Sequence, residues 1–136
     1  AKPDLQAALD WAGTKNLPVA IWGSRYSSSL VFLIAGENPG KVKALLSFSP
    51  GEYFGGDHRV RDAATKVAVP VYVTATASEK AEAEPIYNAV PANAASRFVI
   101  PPHAVHGSST LIAARNPEDA AANWPTVMAF LKAVLG

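Results

Sequence analysis

The sequence predicts an α/β domain of three layers, with helices on both faces of a mostly parallel sheet of about four strands. Three observations carry that expectation. Short apolar runs without alternation recur along the chain, as strands buried on both faces require. Stretches with apolar residues at helical spacing stand between most of them. The 11 Pro and 9 Gly of the 136 residues fall largely between these runs and act as punctuation.

Taken in order, residues 3–16 read as a helix. Pro3 stands in the first turn, Asp4 favours the positive end, and Leu5, Ala8, Leu9 and Ala12 share one face. Residues 17–22, from Leu17 to Trp22, are nearly all apolar and form the first strand, closed by Gly23. Residues 27–36 are apolar almost all round from Leu30 to Ala35, which marks a central buried helix. Asn38, Pro39 and Gly40 make a turn, and residues 42–48 are the second strand. Residues 49–62 are polar and Gly-rich, with Tyr53 and Phe54, and read as a loop over one end of the sheet. The third strand is 67–74, and a helix weakened by Pro85 comes next at 79–90. Residues 97–100 are the fourth strand, and 101–109 the loop after it. Asn116 to Asp119 cap a last helix, expected to break near Trp124 and Pro125, whose far half spaces Val127, Met128, Phe130, Leu131, Val134 and Leu135 helically.

Composition narrows the function classes. Lys+Arg 12 against Asp+Glu 11 gives a net charge of +1, with the bases scattered, so neither nucleic acid nor an anionic membrane surface is an expected partner. With Cys 0 there is no disulfide, thiolate metal site or cysteine nucleophile, and His 3 alone makes no structural zinc site, so no metal is expected. No apolar run reaches the ~18 residues of a membrane span. The chain reads as a soluble single domain over residues 1–136. Its start at Ala1 rather than Met leaves processing or secretion open, and the compartment stays undecided.

Ligands of parallel sheets bind outside the carboxyl ends of the strands. After the first strand stand Gly23, Ser24, Arg25, Tyr26, Ser27 and Ser28, running straight into the buried helix. That is the layout of a nucleophile elbow, in which a sharp turn lifts one side chain above the sheet and the helix N-terminus stabilises negative charge. Serines also cap helices generally, so a plain helix start is the bland alternative. After the third strand come Ser78 and Glu79, where an acid would orient a base, although Glu79 also suits a helix first turn. After the fourth strand comes His106, within His103-Ala104-Val105-His106-Gly107-Ser108-Ser109. Nucleophile site, acid, then histidine is the chain order of the α/β-hydrolases.

The runs Trp22-Gly23-Ser24-Arg25-Tyr26-Ser27, Phe48-Ser49-Pro50-Gly51-Glu52-Tyr53 and Val105-His106-Gly107-Ser108-Ser109 resemble the dienelactone-hydrolase-like branch of the α/β-hydrolases, and the chain is similar to the C-terminal part of that fold. The resemblance implies a Ser-His-acid triad, carboxylic-ester or lactone substrates and no cofactor. His106 matches the family's histidine. The family's nucleophile falls on Arg25 and its acid on Ser78, with Glu79 next in the chain. The family also has strands before the elbow, with a loop that supplies an oxyanion-hole N–H, and this chain starts after them.

The expected site is therefore His106, Ser24 and Glu79 in catalytic roles, with Arg25, Tyr26 and Tyr53 toward a small ester or carboxylate ligand. A guanidinium has no accessible neutral form and cannot attack a carbonyl, so Arg25 implies weak hydrolysis with Ser24 as the substitute hydroxyl. The alternatives are a non-catalytic module in which Arg25 holds a carboxylate or other anion, and a half-sheet unit that needs a partner chain. The apolar first strand makes a poor solvent edge, which points to a homodimer through residues 17–22 or the helix before them.

Overall fold

The computed structural model describes residues 1–136. Nine helices and strands keep the expected alternation: α1 (Lys2–Gly13), β1 (Ala20–Ser24), α2 (Tyr26–Glu37), β2 (Ala44–Phe48), α3 (Arg59–Ala64), β3 (Val71–Thr74), α4 (Lys80–Ala89), β4 (Arg97–Val99) and α5 (Ala120–Leu135). Two 3₁₀ turns, Ala77–Glu79 and Gly107–Leu111, stand in the connections after β3 and β4. The sheet has four strands in the order β1-β2-β3-β4, and every pairing is parallel. All four carboxyl ends thus lie along one edge, and the connections that carry Arg25, Ser49, Glu79 and His106 leave from it.

The two faces are covered unequally. Ile21, Leu45, Val71 and Val73 point to one side, where they join Leu9 of α1, Val31, Phe32 and Ile34 of α2, Val60 of α3, and Ala83 and Ile86 of α4. Ala44, Leu46, Phe48 and Tyr72 point to the other, against Leu111 of the second 3₁₀ turn and Val127 and Phe130 of α5. Phe32 and Ile34 are fully buried, and each such side chain contributes about 1.5–3 kcal/mol through removal from water. Helix α2 is apolar all round because it lies between the sheet and its neighbours α1 and α3.

Several details differ from the sequence reading, among them the third strand, which begins at Val71 rather than Val67. The first strand runs Ala20–Ser24 rather than 17–22, because pairing with Ala44–Phe48 extends to the turn and leaves Leu17 outside, exposed. The segment read as a loop contains α3, whose first amides Val60 N–H and Arg61 N–H are received by the Glu52 carboxylate at 2.9–3.0 Å. That cap lies outside the helix's own residues, so local spacing does not announce it. Helix α5 runs unbroken through Pro125. The carbonyl that Pro125 leaves without a donor belongs to Ala121, and both residues are exposed, so water can satisfy it. Pro85 and Ala81 repeat the arrangement in α4. No helix is long and apolar enough to cross a membrane.

Candidate active site

The turn after β1 is tight. A Cβ on Gly23 would overlap the Ser27 carbonyl, so only glycine lets the start of α2 fold back onto the strand. Arg25, the N-cap of α2, has φ 57 and ψ −123, a conformation that glycine dominates in II′ turns. Its N–H still donates to Phe48 O at 3.0 Å, continuing the β1–β2 ladder, while its side chain is exposed. No ion pair in the molecule involves Arg25. Ser27 closes the turn, its Oγ donating to Ser24 O at 2.9 Å and accepting from Ser24 N–H at the same distance.

Beyond β2, Ser49 also adopts a positive φ, 65°, yet it is buried. Its N–H donates to Thr74 O at 2.8 Å and its carbonyl accepts the Tyr53 hydroxyl at 2.9 Å. Its own hydroxyl donates to Glu79 Oε2 at 2.7 Å and accepts from Gly107 N–H at 2.9 Å.

Glu79 arises from a capping box: Thr76 N–H donates to Glu79 Oε2 at 3.0 Å at the start of the 3₁₀ turn. Its other oxygen, Oε1, meets His106 Nδ1. Burial pushes the Glu79 carboxyl up, but the Thr76 N–H, the Ser49 hydroxyl and the His106 imidazole outweigh it and hold the group below the usual carboxylate range. Ser78 bonds instead to the Thr76 hydroxyl at 3.0 Å. Contact through Nδ1 leaves Nε2 of His106, which is exposed, free to act.

The histidine loop is anchored on both sides. Gly107, at φ 72, stands so close to the first turn that a Cβ there would lie 2.6 Å from Ser24 Oγ and 2.9 Å from Arg25 Cγ. Ser108 N–H donates to Ser24 Oγ at 2.8 Å, and Trp22 Nε1–H donates to Ser108 Oγ at 3.1 Å. From below, the buried amide of Asn116 donates to His103 O at 3.1 Å and Thr110 O at 3.0 Å. Asn123, on α5, donates to Thr110 O at 3.2 Å and Thr110 Oγ1 at 3.1 Å.

The structure therefore brings Ser24, Arg25, Glu79 and His106 to one strand-end cluster. Tyr26 and Tyr53 lie exposed beside it, Tyr26 edge-on to Phe54 at 5.0 Å. Although the residue as a whole is exposed, partial burial, and after it the Glu79 and Glu82 charges, pushes the Tyr53 phenol up. His103 pairs with Glu118 at 3.2 Å, and His58 stands at the N-cap position of α3 in a left-handed conformation without a side-chain capping bond. The member that sequence reasoning did not place in the site is Ser49, although it stands at a strand end before Pro50 and within the run Phe48-Ser49-Pro50-Gly51-Glu52-Tyr53.

No protein-family model and no curated protein matches the chain. Among solved structures, the chain is similar to a dienelactone hydrolase from Anabaena variabilis ATCC 29413, with a TM-score of 0.73 and 21% sequence identity. The match covers 99% of this chain and 60% of that one, so the chain spans less than two thirds of the neighbour's length. At this identity the likeness is one of fold. Four parallel strands flanked by helices, superposing over nearly all of the chain, give it a dienelactone-hydrolase-like α/β fold.

Proposed function

We propose that the strand-end cluster serves carboxylic-ester chemistry at low turnover on a small ester or lactone. His106 is the general base, Glu79 orients it, and Arg25 binds a carboxylate or carbonyl oxygen of the substrate. The observation that carries this reading is the Glu79–His106 pair, set beside a strained turn at a helix N-terminus. Ser24 is the proposed hydroxyl, since its Oγ lies against the histidine loop. In this scheme the Ser24 oxygen attacks the ester carbonyl while its proton passes to His106 Nε2. The imidazolium returns that proton to the leaving alcohol, and water then cleaves the acyl-serine by the same exchange. Tyr26 and Tyr53 are the proposed contacts for the acyl portion. The turnover of a short-chain aryl ester by the parent, Ser24→Ala, Arg25→Ser and His106→Ala proteins tests the scheme. Slow parent turnover, lost in His106→Ala and Ser24→Ala, is expected, with a rise in Arg25→Ser because the serine placed at the family's nucleophile position outweighs the lost guanidinium contact. Parent turnover that survives His106→Ala refutes it.

A second reading is favoured by the exposed Arg25 guanidinium, which has no carboxylate partner. In that reading the cluster is a binding module for a carboxylate or other anion. A parent protein without turnover that binds benzoate, and loses it in Arg25→Ser, selects this reading over the first.

We further propose that the chain assembles as a homodimer through the open side of β1 or the helix before it. Helix α1 packs on α2, tied by Lys2–Glu37 at 2.7 Å and by Gln6–Asn38 side-chain bonds, and makes no extensive contact with β1. Trp22 on β1 and Trp124 on α5 are exposed, with the two indoles 6.5 Å apart. Light scattering at high concentration is expected to report a dimer, and a monomer there refutes the proposal.

A further inference from the structure

We propose that Ser49 is a positioning residue that sets the tautomer and aim of His106 by acting through Glu79 and Gly107. Its meaning for catalysis rests on the His106 base reading above, whereas the geometry behind it does not. One hydroxyl holds both sides of the pair: it donates to Glu79 Oε2 at 2.7 Å and accepts from the N–H of Gly107, the residue after His106, at 2.9 Å. With Oε2 shared between Ser49 and Thr76 N–H, the carboxylate has no rotational freedom, and Oε1 is left directed at Nδ1. A carboxylate fixed there requires a proton on Nδ1 and leaves the lone pair on Nε2, the nitrogen that a base in this cluster must use.

Ser49 is itself immobile. Its N–H, carbonyl and hydroxyl are all engaged, it is 2% exposed, and its φ is 65°. A left-handed conformation at a non-glycine residue persists only where the surroundings over-determine it, and here those surroundings are the groups that orient the histidine. Without the hydroxyl the carboxylate keeps only the Thr76 amide and the imidazole, and the loop amide of Gly107 loses its acceptor. The pair then rotates, and the preference for the Nδ1–H form weakens. Ser49 touches no reacting atom in this scheme. It acts by holding two groups that do not otherwise share a partner.

The test is the side-chain ¹⁵N spectrum of His106 at alkaline pH, assigned with a His106→Gln protein. It is recorded for the parent, Ser49→Ala, Ser49→Gly and Glu79→Ala. Ser49→Gly is included because glycine suits the positive φ and folds where alanine is strained. In the parent, Nδ1 is expected at the protonated position and Nε2 at the unprotonated one. In both Ser49 variants the Nδ1 signal shifts toward the unprotonated position, in the direction of the Glu79→Ala spectrum, as the Nε2–H tautomer gains population. A His106 pattern that stays at the parent position in the folded Ser49 variants overturns the inference, even where ester turnover falls. A shifted pattern in a protein that hydrolyses no ester upholds it, and only the hydrolase reading then fails.

Discussion

Arg25 and Ser49 stand one residue past the ends of adjacent, paired strands, and both have positive φ. Each also continues the ladder through its own N–H, Arg25 to Phe48 O and Ser49 to Thr74 O. Their side chains have opposite fates. The Ser49 side chain is buried and bound on two sides, so the strained turn is offset within the protein by hydrogen bonds. The Arg25 side chain is exposed and pairs with no acidic group in the chain. Strain of this kind costs on the order of 1–3 kcal/mol. At β2 it sets a local structure, while at β1 its effect is to present a side chain outside the sheet. The first kind bears on function through the histidine that it helps to orient, the second through the side chain that it presents.

The largest expected effect separates the two residues by sign. Ser49→Ala leaves the Gly107 N–H without its acceptor and takes one of two donors from Glu79 Oε2, and should destabilise the fold by about 1–3 kcal/mol. Arg25→Gly relieves a conformation that glycine adopts freely, at the cost of a more flexible unfolded chain, and should stabilise it by roughly 0.5–1 kcal/mol. Urea midpoints of the two variants check this, and equal shifts in one direction would erase the distinction.

A smaller effect sharpens the buried side of the comparison. The Glu79 carboxyl is held below its ordinary value of 4.5 in the folded protein, so the folded state binds fewer protons there than the unfolded chain. Its stabilising contribution is complete above that ordinary value and is lost as pH falls through the lower folded value. In Glu79→Gln that part of the acid loss should vanish, flattening the melting temperature against pH below 4.5 relative to the parent. Parallel acid limbs for the two proteins would show that Glu79 is not held as described.

The fold was legible because its strands carry their burial in composition. A stretch such as Ala44–Phe48, buried at all five positions, reads as an internal strand in any context. Helix α3 was hidden because its cap is supplied by Glu52 across a loop, and the break expected at Pro125 did not occur because Ala121, whose carbonyl loses its donor, is open to solvent. In the candidate site, residues 24, 25, 79 and 106 could be placed from strand-end logic alone, since parallel strands deliver their connecting loops to one edge. Ser49 could not. Its part depends on a φ that no residue type announces, and on partners 30 and 58 residues away.

The two asparagine amides beneath the histidine loop bear on how the protein comes apart. Asn116 and Asn123 clasp the carbonyls of His103 and Thr110, and Trp124 Nε1–H adds a bond to Leu111 O at 2.9 Å. Two of these three donors ride on α5. Surface loops usually breathe well below the threshold for global opening, but this one is riveted to the sole helix covering its face of the sheet. Its amides should thus exchange with solvent together with those of α5, as one cooperative unit, and His106 keeps its place until that helix undocks.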